Sequence, residues 1–375
     1  MRSRILVVLV ALLLAPALST PALPAAQAAP GRTADSVLAD MSLAQRVGQL
    51  LMVGSPADHA APATTRAIRR FHVGSVILMG DSSAGRRTVA TTVRGLQGAA
   101  GPAAAGTRLL VAVDQEGGHV QHLTGPGFSE MPAALTQGRW SERKLRTHAR
   151  TWGDELRRAG VNLDLAPVAD TVPVALAHSN QPIGRWQREL GHRPGRVARH
   201  AVAIVRGMRD ARVATAAKHF PGLGRVRGNT DDTATVVDRV TRRHDRYLAP
   251  FAATVRAGVP FVMMSLASYP RLDPTAPAVF SRTVIQDVLR GDLGFQGVVV
   301  SDSLTAAAVA RWSPAQRAVR FVAAGGDLVL VTTAAPVHEM YDALLARARQ
   351  SRAFRARVDE AALRVLRAKQ ARGLL

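Results

Sequence analysis

Eight short apolar runs, each followed by a stretch with helical periodicity, constrain this chain more than any other feature. They occupy residues 51–53, 74–80, 108–114, 161–170, 213–219, 260–265, 297–302 and 327–332. Their Val, Ile and Leu content and their shortness read as strands buried on both faces. Between them, apolar residues recur at three- and four-residue spacing over 32–54, 64–71, 86–96, 142–160, 196–208, 247–258, 283–289 and 315–324, and two further helices at 340–348 and 358–369 close the chain. Eight strands alternating with helices predict an α/β protein built as a single parallel (β/α)8 TIM-type barrel. The alternative, a doubly wound open sheet, is disfavoured by the count of eight and by the absence of GxGxxG after the first strand.

Of the 375 residues, 47% are hydrophobic, enough for one large core. Cysteine is absent, which excludes disulfide frameworks, thiolate metal sites and cysteine nucleophiles. The formal net charge of +22 is spread along the chain and carried mostly by Arg. Nucleic acid is not an expected partner, because aromatics are only 4% of residues and no basic helix or stacking motif occurs. Attraction to anionic cell-surface polymers fits the charge better.

The N-terminus reads as an address. Arg2 and Arg4 precede an apolar run over 5–18, and a small-residue stretch ends in Ala26-Gln27-Ala28-Ala29. These are the parts of a secretory signal peptide over residues 1–29, leaving a barrel domain over 30–375. The run is short for a membrane span of about 20 residues. The expectation is a secreted monomer, extracellular or cell-wall associated, with no stable membrane insertion after cleavage.

Polar residues close several of the strands: Asp114, Asp170, Lys218 with His219, Ser265, and Asp302 at the end of GVVVSDSL (297–304). In a barrel these C-terminal ends converge on one face, where active sites are built. A carboxylate ending a Val run could be a helix cap. Two such acids on distant strands together with a Lys-His pair point instead to a site. Lys218 could form a Schiff base, as in an aldolase. Acids, Arg, Lys and His without a metal-ligand cluster suit a polyol, and hydrolysis of a glycosidic bond needs two carboxyl groups flanking it.

The segments MSLAQRVGQLLMVG (41–54), VDQEGGHVQHL (113–123), LAPVAD (165–170), KHFPGLG (218–224) and GFQGVVVSDSL (294–304) resemble glycoside hydrolase family 3, in its single-barrel β-N-acetylhexosaminidase branch. The resemblance implies a retaining glycosidase in which Asp302 is the nucleophile and forms a covalent glycosyl-enzyme. It implies that Asp114, Lys218, His219 and an arginine of the segment after the fourth strand hold the sugar. Arg188 of RELG (188–191) is taken as that arginine, with Arg185 as the fallback, and His122 stands at another sugar-contact position. Asp170 is assigned either to the floor of the site or to a structural acceptor. The branch implies terminal β-linked N-acetylglucosamine, from peptidoglycan- or chitin-derived glycans, as substrate, and no cofactor or metal.

One departure bears on mechanism. The branch carries an Asp-Ser-His acid/base segment after KHFPG, whereas here the loop RVRGNTDDTATVVD (225–238) holds Asp231 and Asp232 but no histidine. With Asp231 in the Asp place, Thr233 stands where the imidazole belongs, and threonine does not titrate near neutral pH. Asp231 is therefore the expected acid/base, with Asp232 as the other candidate. The competing reading is a weakened or inactive barrel that still binds glycans.

Overall fold

The computed structural model describes residues 32–375, so the signal-peptide expectation for residues 1–29 lies outside the described residues. The strands are β1 (Leu51–Pro56), β2 (Ser75–Met79), β3 (Leu110–Val113), β4 (Gln115–Gly117), β5 (Val120–Gln121), β6 (Leu163–Asp164), β7 (Ala214–Phe220), β8 (Phe261–Met264), β9 (Val298–Ser301) and β10 (Val329–Val331). Eight of them form one parallel sheet in the order β10-β1-β2-β3-β6-β7-β8-β9. A parallel bridge between Val300 and Leu328 joins its two ends, which makes it the expected barrel. β4 and β5, which were not anticipated, form a small antiparallel hairpin above β3.

Because side chains alternate along a strand, each barrel strand has one inward and one outward row. Ile77, Leu110, Ala112, Leu163, Ala214, Ala216, Phe261, Met263, Val298, Val300 and Leu330 pack together inside the barrel. Their neighbours Val76, Leu78, Val111, Val113, Ala217, Val262, Val299 and Val331 pack outward against the helices. The inward parity of β3, β7 and β9, carried two residues on, falls on Asp114, Lys218 and Asp302. The apolar pattern that builds the core thus also aims these three side chains at the mouth of the barrel.

Several local expectations are corrected. Residues 32–54 hold two helices, Ala34–Asp40 and Leu43–Gln49. Ser42 breaks them apart by capping the second in a reciprocal bond with Gln45. The fourth strand shrinks to two residues, because Pro167 offers no N–H and only Val168 bridges onward, to Lys218. The helix expected over 283–289 is a π-helix, Thr283–Asp292. No helix among the described residues is long and apolar enough to cross a membrane.

The closing helix Arg352–Gln370 buries Lys369 completely beneath the barrel. Its Nζ donates to Gln49 Oε1 at 2.6 Å and reaches Thr107 Oγ1 at 3.3 Å, with no carboxylate partner among the described residues. Burial pulls its pKa down to about 7. The unfolded chain binds this proton up to about pH 10.4, so protonation favours unfolding between those two values. The lysine's penalty is full below about pH 7, of order 4 kcal/mol, and fades as pH rises toward 10. Lys369→Met is expected to remove this part of the pH dependence. Urea unfolding of both proteins at about pH 7 and pH 10 checks it: an equal stability gap at the two values would contradict the assignment.

Candidate active site

Above the inward rows lies a cleft of about 430 Å³. Its floor is Ile77, Leu165, Met263 and Leu330, the top layer of the barrel interior. All seven residues expected from the sequence line it: Asp114, His122, Arg188, Lys218, His219, Asp231 and Asp302. Asp232 and the fallback Arg185 do not. Arg185 reaches Gln181 and lies over the exposed Trp186 ring, while the Thr233 hydroxyl donates to Asp232.

One wall is a buried ion network. Lys218 Nζ donates to Asp114 Oδ1 and lies 2.6 Å from Glu116 Oε1. Arg188 grips Glu116 through two parallel bonds of 2.7 and 2.8 Å, and its third nitrogen donates to the Pro182 carbonyl. Such forked pairing fixes orientation as well as charge. Burial pushes the Glu116 carboxyl up, but Arg188 and Lys218 outweigh it and hold Glu116 well below the usual range. Burial likewise pulls Lys218 down, yet Asp114 and Glu116 hold its ammonium well above the ordinary value. A Schiff base needs a free amine, so this lysine is not poised for aldolase chemistry. Asp164, fully buried beside the network, is pushed well above its normal pKa by desolvation, with Lys218 only partly opposing.

A second buried pair sets the imidazole. Asp170, completely buried, accepts from His219 Nδ1 at 2.7 Å, from the His219 backbone N–H and from the Leu223 N–H at 2.7 Å. A carboxylate only accepts, so Nδ1 carries the proton and Nε2 is left for the cleft. Asp170 does not line the cleft, and of its two assignments the structural acceptor holds. On the rim, His122 Nδ1 pairs with Asp81 Oδ1 at 2.7 Å.

Asp302 follows β9, with its backbone N–H on the Met264 carbonyl and its Oδ1 accepting from the Ser303 N–H at 2.8 Å. Burial raises its pKa; the field of His219 opposes this and the Asp231 charge adds to it. Asp231 arrives on the loop after β7. That loop is tied down by Asn180, whose Nδ2 donates to the Leu223 and Val226 carbonyls at 2.7 and 2.8 Å. Gly224 allows the descent, since a Cβ there would lie 1.9 Å from the Thr171 carbonyl oxygen. The Thr230 and Asp231 carbonyls then accept from the Ala308 and Ala307 N–H groups, just beyond Asp302. Two carboxylates therefore share one cleft, on two segments hydrogen-bonded to each other. Among the described residues no group of three or more His, Asp or Glu side chains is arranged to hold a metal ion.

The model of the glycosyl hydrolase family 3 N-terminal domain matches residues 42–368. The chain belongs to glycosyl hydrolase family 3. Like other members it is an enzyme that hydrolyses O-glycosyl bonds. It is 34% identical over 324 residues to a β-hexosaminidase of Stenotrophomonas maltophilia, covering 84% of this chain and 92% of that one. A β-N-acetylhexosaminidase from Beutenbergia cavernae superposes with a TM-score of 0.87 at 51% identity, over 88% of this chain and 99% of the other. A family 3 β-N-acetylglucosaminidase from a Paenibacillus species gives 0.81 at 33%, over 89% and 63%.

Sequence reasoning missed three side chains of this site. Glu116 stands in the quoted DQEGG segment, two residues from Asp114, and its repeat spacing could have marked it. Asp81, the partner of His122, and Asp164 carried no such signal.

Proposed function

We propose that this family 3 enzyme is a secreted, retaining β-N-acetylhexosaminidase that removes terminal N-acetylglucosamine from peptidoglycan- or chitin-derived glycans. The reading rests on one observation: both carboxylates expected to do chemistry and all five expected sugar contacts line a single cleft at the mouth of the barrel. The acetamido preference is supported by the hexosaminidase relatives above.

In the proposed reaction, an Asp302 oxygen bonds to the anomeric carbon as the glycosidic C–O bond breaks, and Asp231 gives its proton to the departing oxygen. Water then passes a proton to Asp231 while its oxygen attacks the same carbon and releases Asp302. Asp114, Lys218, Arg188, His219 and His122 hold the ring hydroxyls, and the bond that a hydroxyl donates to the Asp114 carboxylate strengthens as positive charge develops on the sugar. Burial of the ion network keeps these groups fixed before substrate arrives.

The test compares aryl β-N-acetylglucosaminide with aryl β-glucoside, using protein recovered from the culture medium with its N-terminus sequenced. Hydrolysis of the first substrate by a wide margin, and a mature chain beginning near Ala29 or Pro30, are expected. A preference for the glucoside, or no turnover of either, overturns the substrate assignment; an intact leader on cell-retained protein overturns secretion.

A further inference from the structure

We propose that a row of three hydroxyls at the cleft rim, Ser303, Thr305 and Thr332, holds the departing sugar, and that this corner selects a neutral ring with free hydroxyls over a ring carrying an acidic ether. All three side chains line the cleft. Ser303 Oγ and Thr305 Oγ1 lie 2.7 Å apart, and Thr305 Oγ1 and Thr332 Oγ1 lie 2.9 Å apart. Three hydroxyl protons serve these two bonds, so one proton and several lone pairs are left for an outside partner. The row is held from behind. The Leu304 N–H donates to the Leu330 carbonyl at 2.9 Å, which ties the segment after Asp302 to β10. Gly54 of β1 lets the Thr332 backbone sit against it, since a Cβ there would lie 1.9 Å from the Thr332 carbonyl oxygen.

The place of the row assigns it to the leaving ring. The charged contacts Asp114, Lys218 and Arg188 come from β3, β7 and the segment after β6, whereas the row belongs to the ends of β9 and β10, and β3 stands opposite β9 in the closed ring of strands. Lys218 is buried, while Thr305 and Asp231 are exposed at the rim. A terminal ring gripped by the deep ions therefore turns its glycosidic bond outward, toward Asp231. The Asp231 loop is bonded in turn to Ala307 and Ala308, just beyond Thr305. Thr332 also lines an adjoining cavity of about 560 Å³, which gives a second ring room. No aromatic side chain among the described residues lines the cleft, so hydrogen bonds rather than ring stacking hold that second ring. The corner has nothing to receive an acid. Among the described residues Lys218 and Arg188 are the only Lys or Arg lining the cleft, and Asp114 and Glu116 already engage them. Asp58 and Asp81 line the adjoining cavity, and no Lys or Arg of the described residues does. A carboxylate on the leaving ring would face these acids and the ionised Asp302.

The inference rests on the hexosaminidase reading, and it narrows the substrate to chains whose second sugar is neutral, as in chitin-derived glycans. The experiment compares three substrates at about pH 6, where a lactyl carboxyl is ionised: aryl β-N-acetylglucosaminide, the disaccharide of two N-acetylglucosamines, and N-acetylglucosamine linked to N-acetylmuramic acid. Wild type should favour the neutral disaccharide over the acidic one by about five-fold in kcat/KM, and less at high salt. Within each variant the neutral disaccharide is scored as a ratio to the aryl substrate, so a general loss of activity cancels. Thr305→Val and Thr332→Val should each lower that ratio about five-fold, and Thr305→Ser, which keeps the hydroxyl, should preserve it. Thr305→Lys should raise the acidic disaccharide relative to the neutral one. A ratio unmoved in both valine variants overturns the row, and equal rates of wild type on the two disaccharides, or a preference for the acidic one, overturn the selection. Valine variants that keep the ratio but alter the choice between aryl β-N-acetylglucosaminide and aryl β-glucoside would place the row on the terminal ring and sink its assignment to the leaving sugar. Absence of aryl turnover in wild type instead strikes the hexosaminidase reading itself, so the two failures are distinct.

Discussion

Asp302→Ala is expected to lower kcat/KM on an aryl β-N-acetylglucosaminide by about 10⁴-fold or more, with the fold and sugar binding retained. The side chain makes one internal bond, to the Ser303 N–H, and faces the cleft, so its removal leaves no buried partner stranded. A slow fluorinated sugar should label wild type at Asp302 and leave Asp302→Ala unlabelled; unchanged labelling would sink the nucleophile assignment. The first product formed should keep the β configuration. A pH effect accompanies this. The nucleophile works ionised, and burial with the Asp231 charge raises its pKa, so the acid limb of kcat/KM should lie above the ordinary aspartate range. Removing the like charge with Asp231→Asn should move that limb to lower pH. A limb that stays in place would show that Asp231 does not act on Asp302 through its field.

The barrel was legible because each strand carries an apolar row whose parity continues into a polar residue. Asp114, Lys218 and Asp302 could be placed at one face before any coordinates, and they line one cleft. What escaped depends on partners far along the chain. Glu116 is held by Arg188, 72 residues away, and His122 by Asp81, 41 residues away; no local pattern reports such pairs. The break at Ser42 was hidden inside a continuing apolar period, and the short β6 follows from Pro167 within an otherwise strand-like run.

Asp231→Ala is expected to cost about 10²–10⁴-fold on a substrate with a poor leaving group and far less on an activated aryl glycoside. An activated leaving group departs without a proton, so it reports on the nucleophile alone, whereas a sugar alcohol must be protonated as it leaves. Asp231 is the candidate donor because its carboxylate lines the cleft, while Asp232 is engaged by the Thr233 hydroxyl away from it. No imidazole stands behind Asp231 on its loop. One carboxyl group thus serves as acid in the first step and as base in the second. The second step gives the sharper reading: with the activated substrate, Asp231→Ala should accumulate glycosyl-enzyme, seen as a burst of phenol, and external azide should relieve it by forming a β-glycosyl azide. If Asp232→Ala shows this behaviour and Asp231→Ala does not, the roles of the two loop acids are reversed. If neither does, the donor lies elsewhere in the cleft, and His122 with Asp81 behind it is the next group to substitute.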